Sequence, residues 1–180
     1  PDQQPVSVER FTETESDRMI ERYAFADALK YLEDYKKAML DETIKAKVAS
    51  RIEEVTSLNE AFNWLISSYT EGEKLDLGNG LTGKVIKVDS KGIALKTEGG
   101  ELVKRWDSLK PRELYNYFVA RDKKAAHTNR HNLNLAVFCL EFNMRREALT
   151  NLSLALKANA SAKPQLDSIY SRYSRKPIPK

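Results

Sequence analysis

Residues 74–109, KLDLGNGLTGKVIKVDSKGIALKTEGGELVKRWDSL, decide how this chain is read. They are the part of the sequence with β-character, and helical patterns fill most of the rest. Residues 81–88 (LTGKVIKV) and 93–96 (IALK) are short runs of β-branched and apolar residues bounded by turn residues. Asp89-Ser90-Lys91-Gly92 supplies one turn, with Gly92 free to take positive φ. Glu98-Gly99-Gly100 supplies a second. The spacing predicts a three-stranded antiparallel meander over 81–88, 92–97 and 101–106, with 74–77 as a fourth strand. Gly83 is expected to mark a bend or bulge.

So few short strands bury too little apolar surface to offset the entropy of ordering them. The segment must lean on helices or close into a small barrel resembling the Src-homology-3 type. Trp106 is the expected plug between sheet and helices. Its alternative role is an exposed recognition aromatic.

Outward from this segment, residues 1–14 lack apolar periodicity and read as a loose arm. In 15–40, Met19, Tyr23, Ala26, Leu29, Leu32, Tyr35 and Met39 recur at helical spacing. That run is either one rod or, with a break near Arg22-Tyr23, a helix pair. Asp41 and Thr43 offer caps. A helix is then expected over 44–69, ended by Glu71-Gly72. Beyond the β segment, Pro111 suits a first helical turn, with Leu114, Tyr115, Phe118 and Val119 on its apolar side. Residues 121–130 (RDKKAAHTNR) are polar and basic, a connection or a frayed helix end. Residues 164–173 read as a capping helix and 176–180 as a tail. The fold class is therefore α+β, mostly α: helical regions at 15–73 and 110–175 flank a small antiparallel sheet or partial barrel.

Residues 133–160, LNLAVFCLEFNMRREALTNLSLALKANA, resemble one tetratricopeptide helix hairpin. Leu135-Ala136 is the large–small pair of the first helix, and Cys139 stands where the family usually has Tyr. Asn143 occupies the turn position, which Asn tolerates in left-handed conformation. Ala148, Leu152, Ala155 and Leu156 match the second helix, and Ala160 replaces the usual closing Pro. The resemblance implies a hairpin over 132–160. YLEDYKKAM, at 31–39, resembles the second helix of another. The whole layout resembles accessory regions outside the catalytic domain of large bacterial proteins, some serine/threonine kinases among them. That resemblance transfers no functional residue.

Hydrophobic residues make up 41% and charged residues 31% of the 180, so a packed core is affordable and disorder is not indicated. No apolar run approaches transmembrane length, so no membrane insertion of this segment is expected. The chain starts at Pro1 and shows no signal peptide, so it is read as an excised or processed piece of a larger protein, cytoplasmic or exported. Its one cysteine, Cys139, excludes an intramolecular disulfide and reads as a buried thiol. Charge is split: residues 1–73 hold 9 Lys+Arg against 16 Asp+Glu, and residues 74–180 hold 21 against 10. The halves either face each other or leave the basic half for an anionic partner.

No catalytic constellation is evident. His127 and His131 share a helix face at i, i+4, but Thr128 follows the first His where a zincin needs Glu. Glu33-Asp34 and Glu53-Glu54 are adjacent pairs that diverge around a helix, and read as solvated faces. Gly78-Asn79-Gly80 lacks the Gly-Lys-Ser/Thr of a phosphate loop, and no kinase motif is present. Lys104, Arg105, Arg121, Lys123, Lys124 and Arg130 form a candidate surface for an anionic partner, with Trp106, Tyr115 and Tyr117 as stacking aromatics. The expectation is a non-catalytic protein-interaction or structural module of a larger bacterial protein, without a cofactor or metal, whose partner is a protein. The alternative is a nucleic-acid-binding module using the sheet and the basic half.

Overall fold

The computed structural model describes residues 14–78, 81–122, 129–159 and 163–174. The element order is α1 (Thr14–Glu21), α2 (Phe25–Ala38), α3 (Glu42–Ser67), β1 (Lys74–Gly78), β2 (Leu81–Asp89), β3 (Gly92–Thr97), β4 (Gly100–Arg105), a 3-10 turn (Trp106–Ser108), α4 (Pro111–Asp122), α5 (Asn129–Glu141), α6 (Arg145–Ala158) and α7 (Lys163–Ser174). Residues 1–13 of the arm expected over 1–14, Asn79, Gly80, Ala160 and the tail lie outside the described residues, and Thr14 opens α1 instead of belonging to the arm. The fold is mostly α with a small antiparallel sheet, as the sequence pattern predicts.

The run over 15–40 does break. Tyr23 takes φ 60, and its N–H donates to Ile20 O while Ala24 N–H donates to Met19 O, each at 2.9 Å. The orphan carbonyls at the end of α1 are thereby satisfied as the chain reverses. The same backbone solution recurs between α5 and α6. Asn143 takes φ 58, and Met144 N–H donates to Cys139 O at 2.7 Å.

Asp41 caps α3, its carboxylate accepting from Thr43 N at 2.8 Å and Ile44 N at 3.1 Å. Val48, Val55, Leu58, Ala61, Phe62 and Leu65 are buried along α3, which packs between α2 and α5 and also meets β2 and α4. α5 is enclosed by α3, α6 and α7, and residues 131–140 are all buried. Seven of those ten are apolar, and a helix buried on every side belongs in an interior.

The sheet is an open meander in the order β1-β2-β3-β4, all antiparallel. Val85, Ile93 and Leu95 form its inner face and join the same core as the helices. Trp106 is buried at 1% exposure, edge-on to Phe62 at 6.2 Å and to Tyr117 at 5.6 Å. Its indole N–H donates to Asp89 O at 2.8 Å. It is the plug, and the exposed-aromatic alternative is overturned.

Three local expectations are corrected. Gly92 does not take positive φ, which among the described glycines falls at Gly72 and Gly100. The Asp89 carboxylate closes this turn instead, accepting from Lys91 N at 2.8 Å and Gly92 N at 3.2 Å. Glycine is needed at 92 because β4 approaches so closely that a Cβ would lie 2.4 Å from Lys104 O. Gly83 pairs regularly with Leu75, and the irregularities fall at Asp76/Gly78 and Val85/Lys87. The α3 helix ends at Ser67, before the Glu71-Gly72 signal.

Candidate functional site

Four of the six basic residues singled out from sequence lie among the described residues, and three of those four are in ion pairs. Lys123 and Lys124 lie outside the described residues. Arg121 is turned inward: it donates to Glu73 at 2.5 Å and, through Nε, to Ser68 Oγ at 3.1 Å. It also bonds Ser68 O, and it lies 4.3 Å from the Tyr69 ring centroid. A guanidinium so occupied has no face left for an anionic polymer. Arg130 forms a bidentate pair with Glu60 at 2.7 and 2.9 Å. That guanidinium, with Asn134, holds the Glu60 carboxyl below its ordinary range. Arg105 is exposed and bidentate with Asp107 at 3.0 and 2.5 Å. Lys104 is exposed, with Nζ 5.7 Å from the Tyr117 ring centroid.

The aromatics expected to stack bases are likewise committed. Trp106 is buried, and the Tyr115 hydroxyl accepts from Asn151 Nδ2 at 3.1 Å. Tyr117 is half-buried between Trp106 and Lys104.

The register creates another basic surface that the sequence reasoning missed. Val85 pairs with Leu95 on the inner face, so their neighbours Lys84 and Lys96, also a direct pair, stand on the outer face. Lys84 pairs on its other side with Lys74 of β1. Three exposed lysines therefore stand in one row across β1, β2 and β3, about 4.8 Å apart from strand to strand. None of the three is in an ion pair among the described residues. Lys87 and Arg105 share this face, partnered by Asp89 and Asp107. Like charges directly opposite one another destabilise a sheet, so this row carries a stability cost. The signal was present as Lys at alternate strand positions, but its meaning depends on strand register.

A second polar cluster lies inside the helical layer. Arg51 on α3 donates to Glu54, to both oxygens of Glu141 and to Asp17, each at 2.8 Å. Tyr173 of α7 donates to Glu141 at 2.9 Å. One guanidinium thus ties α1, α3, α5 and α7 together. Burial raises the Tyr173 hydroxyl well above its ordinary range, and Glu141 adds to that rise. Glu54, expected on a solvated face, has a side chain only 11% exposed. Its salt bridge to Arg51 makes that burial tolerable.

The remaining candidate chemistry resolves into packing. His131 is buried against Trp64, centroids 4.0 Å apart, with Nε2 2.6 Å from Asp122 Oδ1. His127 lies outside the described residues. No group of three or more potential metal ligands occurs among the described residues. Cys139 is fully buried, and desolvation pushes its thiol up to about 12, far from a reactive thiolate at neutral pH. No described helix is long and apolar enough to cross a membrane.

No protein-family model, curated protein or solved structure matches this chain.

Proposed function

We propose that this chain is a non-catalytic protein-interaction or structural module of a larger bacterial protein. The observation that carries the reading is the repeated helix-pair turn, at Tyr23 and at Asn143. The tetratricopeptide resemblance stated for 132–160 thereby gains a counterpart in α1–α2. Arrays of such pairs bury their faces on neighbours and offer grooves to peptides. On α6, Leu149 is 52% and Leu154 43% exposed, beside Arg146, Ser153 and Lys157. Arg121–Glu73 and Arg130–Glu60 supply further support, because they cancel part of the charge split internally.

The test is affinity capture from bacterial lysate, with and without nuclease, mapped by cross-linking. A protein held in both samples, and lost with Leu149→Asp plus Leu154→Asp, supports the reading. Capture abolished by nuclease overturns it.

The lysine row favours a second reading, a nucleic-acid-binding module on the outer sheet face. That face carries no aromatic residue, so binding there would rest on phosphate contacts. Replacing Lys74, Lys84 and Lys96 with Ser should then lower the salt slope of duplex binding by up to about one unit per lost contact. A slope unchanged by the triple replacement removes this reading.

A further inference from the structure

Strand β4 is a sheet edge, paired with β3 alone. The opposite edge, β1, is interrupted by an irregularity at Asp76/Gly78. β4 has no such interruption: its six residues pair with β3 in unbroken register, and none is proline. All six are exposed, Leu102 at 44% and Val103 at 60% among them. Edge strands usually carry a bulge, a proline, charged side chains or a cover that discourages pairing with another chain. β4 has no bulge and no proline, and its charges, Glu101, Lys104 and Arg105, are of both signs.

The direction of its free backbone groups follows from the ladder. Trp106 N–H donates to Lys91 O at 3.1 Å, continuing the β3–β4 register by one pair. Backbone groups alternate along an antiparallel strand. Lys104 and Leu102 therefore point theirs at β3, while Glu101, Val103 and Arg105 point theirs out of the sheet.

We propose that this edge pairs with the β4 of a second copy of the chain, antiparallel about a two-fold axis at Val103. In that register Val103 faces Val103 of the partner subunit, Glu101 faces the partner's Arg105, and Arg105 faces the partner's Glu101. All three positions expose their backbone groups toward the partner, so each pair can exchange both hydrogen bonds. The same three side chains stand on the outer face, since Arg105, Val103 and Glu101 pair with Gly92, Ala94 and Lys96. The strand is thus complementary to itself in charge and in apolar contact. Arg105 exchanges an exposed intrachain partner, Asp107, for a carboxylate directly across the new rung.

The register also places the Glu98-Gly99 turn of each copy beyond the other's Arg105. A groove of about 720 Å³ opens there, lined by Arg22, Lys91, Arg105 and Asp107 among others. Arg22 and Lys91 are exposed cations that suit the Glu98 carboxylate of the arriving turn. The product is a continuous eight-stranded sheet. This proposal is independent of the protein-interaction reading above.

Sedimentation of the full chain from low micromolar to about 100 μM tests it. The expected result is a concentration-dependent dimer. Arg105→Glu and Glu101→Arg each set like charges opposite one another at both ends of the new ladder. Each alone should raise the dissociation constant about tenfold or more, and the double variant should restore it. Circular dichroism melts check that these exposed variants remain folded. A wild-type monomer throughout, a dimer indifferent to both single reversals, or a double variant that does not recover would overturn the proposal. Pairing of β4 with an extended peptide of another protein, with no self-association, would also overturn it.

Discussion

Tyr23 and Asn143 hold the same left-handed turn, at φ 60 and φ 58, and the two turns touch through Tyr23 and Phe142, ring centroids 5.5 Å apart in an edge-to-face contact. Asn adopts this conformation readily, whereas Tyr does so at a steric cost. What retains Tyr23 is its ring, buried at 3% exposure, and its hydroxyl, which donates to Leu109 O at 2.9 Å. The helical layer and the segment following the sheet are pinned together by that bond. Tyr23→Phe should cost about 1 kcal/mol through the unmade hydrogen bond. Asn143→Gly should be neutral or slightly stabilising, while Asn143→Val should cost about 1–2 kcal/mol. Urea melts of the three variants decide this, and an unaffected Asn143→Val would contradict the turn assignment.

The Arg51 cluster makes a larger prediction. Arg51, Glu54 and Glu141 have side chains 11%, 11% and 9% exposed. Arg51→Met removes the cation and leaves two carboxylates with little solvent. The loss should be about 3–5 kcal/mol. Glu54→Gln should cost much less, because Arg51 keeps Glu141 and Asp17. Equal losses in the two variants would show that Arg51 is not the hub.

How much of this was readable from sequence depended on the range of the interaction. Asp41, Pro111 and Asn143 act on their own neighbours, so cap, helix start and turn were legible in the residues themselves. Trp106 was legible because a large aromatic at the end of a thin sheet has few places to go. The ion pairs of the basic candidates were not legible because ion pairing is set by tertiary contacts. Nothing near Arg121 in sequence announces Glu73, and nothing near Arg51 announces Glu141. The lysine row failed for a different reason. Lys74, Lys84 and Lys96 become neighbours only once the register is fixed, and the irregularity at Val85/Lys87 shifts every pair beyond it.

Ala148 is fully buried on α6, which packs on α5. An indole there has no space without pushing the two helices apart. Ala148→Trp should destabilise by about 1–3 kcal/mol or more. An unchanged melting temperature would mean that the two helices are not in close contact at this residue.

Alkaline pH should weaken the fold. Burial raises the Tyr23 hydroxyl from 10.0 to about 12, with Glu113 adding to it, and raises the Cys139 thiol from 9.0 to about 12. Both groups are neutral in the folded state at pH values where the unfolded chain would ionise them. Their contribution is fully present below about pH 9 and is lost progressively as pH rises to about 12. Chemical denaturation at pH 8, 9.5 and 11 should show a falling midpoint, and Cys139→Ala should flatten the lower part of that decline. A midpoint constant across the series would remove the linkage.

The lysine row offers the sharpest separation of stability from binding. Lys84 stands between Lys74 and Lys96, directly opposite both, with no ion pair among the described residues. Lys84→Glu converts two like-charge contacts into two opposite-charge contacts on an exposed sheet face. The fold should gain about 0.2–1 kcal/mol, and the gain should shrink as salt is added, since exposed pairs are screened. The same change removes a cation from the centre of the row and replaces it with a carboxylate. If the outer face serves an anionic polymer, affinity should fall while the melting temperature rises. If the face serves no such ligand, only the melting temperature should move. Measuring both on one variant therefore decides whether the repulsion in this row accompanies polyanion binding, and a variant that loses stability would refute the register from which the row was read.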